Sequence, residues 1–457
     1  MRRYFIFVTA GLGLLMYSID STVVAVAFPN FIREFDTNVL WAAWTISIYY
    51  IGVTIAMPLA GNLSDSFGRK RVFLISLILF TASSLVCGLA PNIYTLIGFR
   101  FLQGIGGASF LPTASGIVSD HFPENRERAI GFFTSIFPIG GLIGPNLGGW
   151  IVSRYSWRYI FYINLPICLC LMALIMILLK DSKVLSRHRI DIRGAAFISG
   201  SILFLMFGLN FVGESFSGLS LLFTAIFLIL SLFLLLLFFR QEKKATNPIL
   251  DLVLLKSTPF MAANLLNMFV GAGVFGIFAF VPLYATSVHK LSTLMSGMIL
   301  TPRSLGTIPA SAIVSFMLKR WGYRWPMVWG LGIISFTTIL LGQNQLWGIM
   351  GIQLGTVEML SLLILIGGIG MGILFPAVNN ACIELMPAKV ASIVGLRGMF
   401  RTVGGALGVS IITFILHLSS DPVIGFKITF LSFGLGLLCV IPLVFLMPAG
   451  TQGWGRN

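Results

Sequence analysis

Residues 61–71 read GNLSDSFGRKR, a short polar stretch that ends in three consecutive basic residues, Arg69, Lys70 and Arg71. It lies between two apolar runs, 40–61 and 72–90. Each run has about the 20 residues that a helix needs to cross a hydrocarbon layer about 30 Å thick. Gly61 closes the first run, and Gly68 permits the tight turn that two antiparallel helices require. Asp65 can pair with the basic residues after it or cap a helix N-terminus. Two readings are open: a polar latch that favours one state of a two-state machine, or a solvated basic loop that sets topology.

Working outward, the same alternation runs along all 457 residues. The chain is 57% hydrophobic and 10% charged, with a mean hydropathy of +0.96. A soluble domain cannot hide that much apolar surface, so the class is an all-α polytopic membrane protein. Fourteen candidate spans are read: 4–28, 40–61, 72–90, 94–117, 129–150, 158–179, 194–212, 219–239, 260–284, 291–318, 326–342, 359–381, 399–418 and 426–447. The first could be taken for a signal peptide, but it is long enough to span and Asp20 interrupts it, so a retained helix is expected.

The net charge of +15 is spread over short loops rather than one continuous basic face, which argues against nucleic-acid binding. Of the 30 Lys and Arg residues, Arg33, Arg154, Arg158, Lys290 and Lys427 fall on one side and Arg100 and Arg303 inside spans, leaving 23 on the other side. By the positive-inside rule both termini are cytoplasmic. Trp41, Trp44, Trp150 and Trp157 are expected at the outer interface, Trp321 and Trp325 at the inner one. The five cysteines all fall in apolar segments without a CxxC pair, and read as small core hydrophobes. The four histidines lack metal-ligand spacing. No metal, cofactor or nucleophile–base set is expected, so the chain does not read as an enzyme.

An internal repeat is visible. Ser66-Phe67-Gly68-Arg69-Lys70-Arg71 is echoed by Arg320-Trp321-Gly322-Tyr323-Arg324-Trp325 at an offset of 254, and Gly141-Leu142-Ile143-Gly144 by Gly405-Ala406-Leu407-Gly408 at an offset of 264. This gives an expected 6 + 2 + 6 order: a six-helix half over 1–180, an inserted pair over 181–256 and a second half over 257–457.

Ionisable groups inside spans are costly and mark function by default. Asp20 lies about 24 Å along the first span, where burial favours its protonated form. It reads as a proton or cation site, or as a structural acid bonded to a neighbouring helix. Arg100 and Gln103 are three residues apart, roughly on one helical face. Arg100 cannot carry a proton itself, but it can act on a nearby carboxylate or snorkel to headgroups. Arg303, about 16 Å into its span, either faces a water-filled cavity or pairs with an acid. Gly140, Gly144 and Gly148, with Pro145 and Gly149 among them, make a smooth face suited to close packing or to sliding. Phe110, Phe133 and Phe137 are candidates to line an apolar pocket.

Residues 61–71 resemble the signature loop of the major facilitator superfamily. SIDSTVVAVAFP (18–29) is similar to the first-span motif of its fourteen-span drug:proton antiporter branch, RFLQGIGGASFLP (100–112) to the fourth-span motif, and GGLIGPNLGG (140–149) to the fifth-span antiporter motif. WRYIFYINLP (157–166) and DIRG (191–194) also fit that branch. Ser66 stands where the loop usually has a basic residue, and Ser109 where a small apolar residue is common.

The resemblance implies a fourteen-helix major facilitator fold in the cell membrane. It implies a monomer that exports small amphiphilic or drug-like compounds in exchange for protons by alternating access. Asp20, Arg100, Gln103 and Arg303 would couple proton and substrate. Gly61, Asp65, Gly68, Arg69 and Arg71 would form the latch. Export of one dedicated metabolite, lipid or peptide is the alternative, and a non-transporting sensor or scaffold a third.

Overall fold

The computed structural model describes residues 2–122, 124, 129, 133, 136–179, 191–214, 218–245, 257–343, 355–384 and 390–447. Among the described residues there is no strand. Two compact units are formed, Met1–Leu250 and Asp251–Asn457.

Unit 1 contains α1 (Arg2–Glu34), α2 (Val39–Phe67), α3 (Arg69–Leu89), α4 (Ile93–Ala108), α5 (Phe110–His121), α6 (Ile136–Arg154), α7 (Tyr159–Tyr162), α8 (Asn164–Leu178), α9 (Ile192–Glu214) and α10 (Gly218–Glu242). Unit 2 contains α11 (Thr258–Val270), a π-helical stretch (Gly271–Gly276), α12 (Ile277–Ser287), α13 (Thr293–Met298), α14 (Thr301–Trp321), α15 (Arg324–Leu341), α16 (Thr356–Glu384), α17 (Val390–Leu418), α18 (Pro422–Cys439) and α19 (Ile441–Val444). Helix therefore occupies every one of the fourteen expected stretches. Among the described residues, eleven helices are long and apolar enough to cross a membrane. The expected fourth span is interrupted at Ser109.

Small residues set the packing. A Cβ placed on Gly140 would strike Ser18 of α1, and one on Gly144 would strike Thr22. Gly52 and Gly104 let α2 and α4 touch: a Cβ on Gly52 would lie 2.5 Å from the Phe101 carbonyl oxygen, and one on Gly104 would strike the Tyr49 carbonyl. Unit 2 repeats both contacts. Gly404 meets the Met268 backbone and Gly408 that of Ala272, joining α17 to the α11 and π-helical segment. Gly368 meets the Arg303 carbonyl, joining α16 to α14. Such glycine faces let helix backbones approach closely in lipid.

The loop echo also has a structural meaning. Gly68 (φ 93°) and Gly322 (φ 67°) both adopt the positive φ that favours glycine. The basic residue two positions on then reaches a helix end: Lys70 Nζ donates to the Met176 carbonyl (3.3 Å), and Arg324 Nη2 to those of Phe445 (3.1 Å) and Met447 (3.0 Å). Cations there satisfy carbonyls that lack helical partners.

The inserted pair α9–α10 is stapled by Ser201 and Ser231, each hydroxyl donating to the other's carbonyl (2.9 and 2.8 Å). It joins unit 1, where Phe207 packs 4.9 Å from the Trp44 ring. Trp157 and Trp44 are buried within the protein. Trp157 sits edge-on to Phe31 at 4.9 Å and donates from Nε1 to Glu34 (2.5 Å), a partner that draws the indole inward. Cys170 and Cys439 are exposed rather than core. Phe110 and Phe133 are fully buried packing residues, with Phe110 against Phe73, Phe80 and Tyr17.

Candidate proton- and substrate-coupling site

The close approach of α4 to α2 at Gly104 places Arg100 beside Tyr49, with the guanidinium carbon 4.0 Å from the ring centroid. That geometry is favourable for a desolvated cation. Arg100 Nε donates to the Thr45 carbonyl (3.1 Å). Its Nη1 donates to Asp20 Oδ2 (3.0 Å) and to Gln103 Oε1 (2.6 Å). Asp20 is 0% exposed and Arg100 1% exposed, so this is a sealed ion pair. The other carboxylate oxygen, Oδ1, accepts from Gln103 Nε2 (2.9 Å) and from Asn164 Nδ2 (2.9 Å). Ser84 Oγ accepts from Gln103 (2.8 Å) and donates to the Phe80 carbonyl (2.8 Å). Three helices thus meet at one carboxylate, α1, α4 and α8, with α2 held through Arg100 and α3 through Gln103.

Desolvating two ions costs several kcal/mol each, and their attraction offsets this only with good geometry and further hydrogen bonds. Hydrogen bonds to charged groups contribute about 1.5–3 kcal/mol each, and Asp20 accepts three. The cluster is therefore built to hold a charge in a dry place, not to maximise stability.

Asp20, Arg100 and Gln103, each singled out from sequence, are brought together, and Arg100 binds Asp20 rather than snorkelling. Asn164, Ser84 and Tyr49 were not foreseen; Asn164 alone carried a signal, lying inside the quoted 157–166 motif. Arg303 is not part of the cluster. It belongs to unit 2, half-buried, its guanidinium carbon 4.7 Å from the Phe278 ring centroid. By the matching glycine contacts it occupies in α14 the place Tyr49 holds in α2. By the same matching, Arg100 and Gln103 correspond to Ile364 and Gly367, and Asp20 falls within Gly271–Gly276.

A family model described as Major Facilitator Superfamily matches residues 10–409. The chain belongs to the Major Facilitator Superfamily. It is similar to "Multidrug resistance protein 3" of Bacillus subtilis (strain 168), 32% identical over 410 residues, covering 89% of this chain and 78% of that protein. It is also similar to the "Tetracenomycin C resistance and export protein" of Streptomyces glaucescens, 27% identical over 404 residues, covering 88% and 73%. The fold matches the crystal structure of an auto-inhibited POT family peptide transporter with a TM-score of 0.71 over 100% of this chain and 99% of that one, at 14% identity.

As a Major Facilitator protein the chain is a multi-pass membrane transporter of small molecules, not an enzyme. Its signature loop turns at Gly68. Arg69 then lies over Gly116 and pairs through Nε with Asp120 Oδ2 (3.0 Å), tying α3 to α5. Arg71 is exposed. The side chains of Gly61 and Asp65 lie outside the described residues, so that part of the expected latch has no structural account. Gly140, Gly144, Gly148 and Gly149 are buried in α6, with Pro145 inside the helix.

Proposed function

We propose that this protein exports small amphiphilic, drug-like compounds across the cell membrane in exchange for protons, by alternating access. Asp20 is the proton site. The observation that carries this reading is the carboxyl group itself: an acid buried away from solvent and bonded by Arg100, Gln103 and Asn164. Ionisable groups this deep in a span mark function by default. The names of the relatives at 32% and 27% identity support drug export as the task.

In the cycle, water reaches Asp20 from one side at a time. A proton neutralises it, Arg100 is released, and the freed guanidinium is available to alter substrate affinity. The ion pair is the deprotonated stage of this cycle. Fourteen spans in a 6 + 2 + 6 order, two cytoplasmic termini and a monomeric working unit complete the proposal; the loop charge distribution supports the orientation.

The test is reconstitution into liposomes with a trapped pH dye. Addition of ethidium to wild-type vesicles should produce a proton flux opposite to the dye's movement. Asp20→Asn should abolish it. Uphill, pH-driven ethidium movement by Asp20→Asn at the wild-type rate would remove Asp20 from the mechanism.

A further inference from the structure

The 157–166 motif, WRYIFYINLP, has work to do at both ends. At its start, Trp157 and Arg158 clasp Glu34 at the end of α1. Seven residues on, Asn164 opens α8 and reaches Asp20 in the middle of α1. One short segment therefore grips the same helix twice.

The second grip is chemically distinctive. A protonated carboxyl group must donate a hydrogen bond, and its cage offers it donors. Arg100 has no acceptor at all. The Gln103 carbonyl is already held by Arg100 Nη1 at 2.6 Å. Asn164 has an amide with one donor end and one acceptor end, and its donor end bonds Asp20 Oδ1 (2.9 Å) and Ser84 Oγ (3.5 Å). A half-turn of that amide would present its oxygen to Oδ1 instead.

We propose that Asn164 is a positioning residue for proton exchange: its amide donates to Asp20 when the carboxylate is charged and turns to accept when Asp20 is protonated. Protonation of α1 is thereby passed to α8 as a reorientation of one side chain. The proton comes from water on the open side, and no other bond is made or broken.

The remaining groups near Asp20 leave this assignment clear. Tyr49 on α2, Cys87 on α3 and Cys168 on α8 lie within electrostatic reach of the acid. Phenols and thiols are largely uncharged at neutral pH, so Arg100 is the one fixed charge among these groups. The face of α6 turned to α1 is built of Gly140, Gly144 and Gly148.

The inference rests on Asp20 being the proton site, and its test reads that residue directly. In purified wild-type protein, the infrared band of a protonated carboxyl group that Asp20→Asn removes is titrated against pH. Asn164→Ala deletes a charge-assisted donor, the stronger kind of bond, so the charged form loses more than the protonated one. The midpoint should rise by about one unit, a roughly tenfold tighter hold on the proton. The pH profile of ethidium–proton exchange should move the same way while the KM for ethidium at saturating acidity stays near wild type. Asn164→Ser keeps a donor and an acceptor in a smaller group and should shift less; it carries the same reading should the alanine variant not fold. A band that titrates with an unmoved midpoint in these variants overturns the role of Asn164. A wild type with no titrating Asp20 band overturns the proton site and the inference together.

Discussion

Removing Arg100 is the most revealing perturbation, because its cost can be worked out and has a sign in pH. Arg100→Gln deletes the Nη1 bond to Asp20 Oδ2 (3.0 Å) and leaves the carboxylate with two neutral donors, Gln103 and Asn164. Breaking a buried ion pair from one side costs about 3–5 kcal/mol. The stranded acid has an escape, which is to bind a proton. In the variant the folded state then binds that proton more tightly than the unfolded chain, whose carboxylates titrate near about 3.9. Stability linked to such a group is present at low pH and lost as pH rises. Once Asp20 is protonated in the folded variant, each unit of acidification restores about 1.4 kcal/mol. Between pH 8 and pH 6 up to about 2.7 kcal/mol should therefore return, relative to wild type.

The reciprocal variant behaves differently. Asp20→Asn strands a guanidinium that cannot shed its proton, so its loss should not vary with pH. The double variant Asp20→Asn with Arg100→Gln has no buried charge in the cluster and should be more stable than the sum of the single losses implies. Thermal melting in one detergent at one heating rate, at pH 6 and pH 8, reads all four proteins. A deficit in Arg100→Gln that is the same at both pH values would refute the reasoning, as would a double variant whose loss equals that sum.

Two packing predictions accompany this one. Gly116→Ala places a methyl group where the Arg69 guanidinium lies, so the Arg69–Asp120 pair should open and ethidium transport should fall several-fold while the protein remains folded, checked by transport against expression level. Gly322→Ala forces a side chain onto φ 67° with ψ −168°, a region that essentially only glycine adopts, and should cost about 1–3 kcal/mol, seen as a lowered melting temperature that Gly322→Asn lowers by a similar amount.

The membrane class, the glycine face of α6 and the trio Asp20, Arg100 and Gln103 could all be read from the chain, because a charge in an apolar run stands out without any knowledge of neighbours. The partner of Arg100 could not be read. Asp20 and Arg100 are 80 positions apart on different helices, and nothing along the chain shows that α1 and α4 bring them together. Asn164, Ser84 and Tyr49 are neutral, so nothing in hydropathy marks them. The Glu34 partner of Trp157 could not be read for a related reason: the two are 123 positions apart. The break at Ser109 was hidden because the apolar run through 94–117 continues across it.

The second unit has kept the glycine scaffold of the first but not its acid: where Asp20 would fall, the chain runs through Gly271–Gly276 as a π-helix. On the proposed reading, one proton carried by Asp20 would set an exchange ratio of one per cycle, and this would decide which gradients count. A monocation leaving against one proton moves no net charge, so the membrane voltage contributes nothing and only the acidity difference drives it. A neutral compound leaving on the same terms is electrogenic and gains about 2.3 kcal/mol from every 100 mV. Collapsing the voltage with valinomycin and potassium would then slow the neutral cargo and spare the charged one.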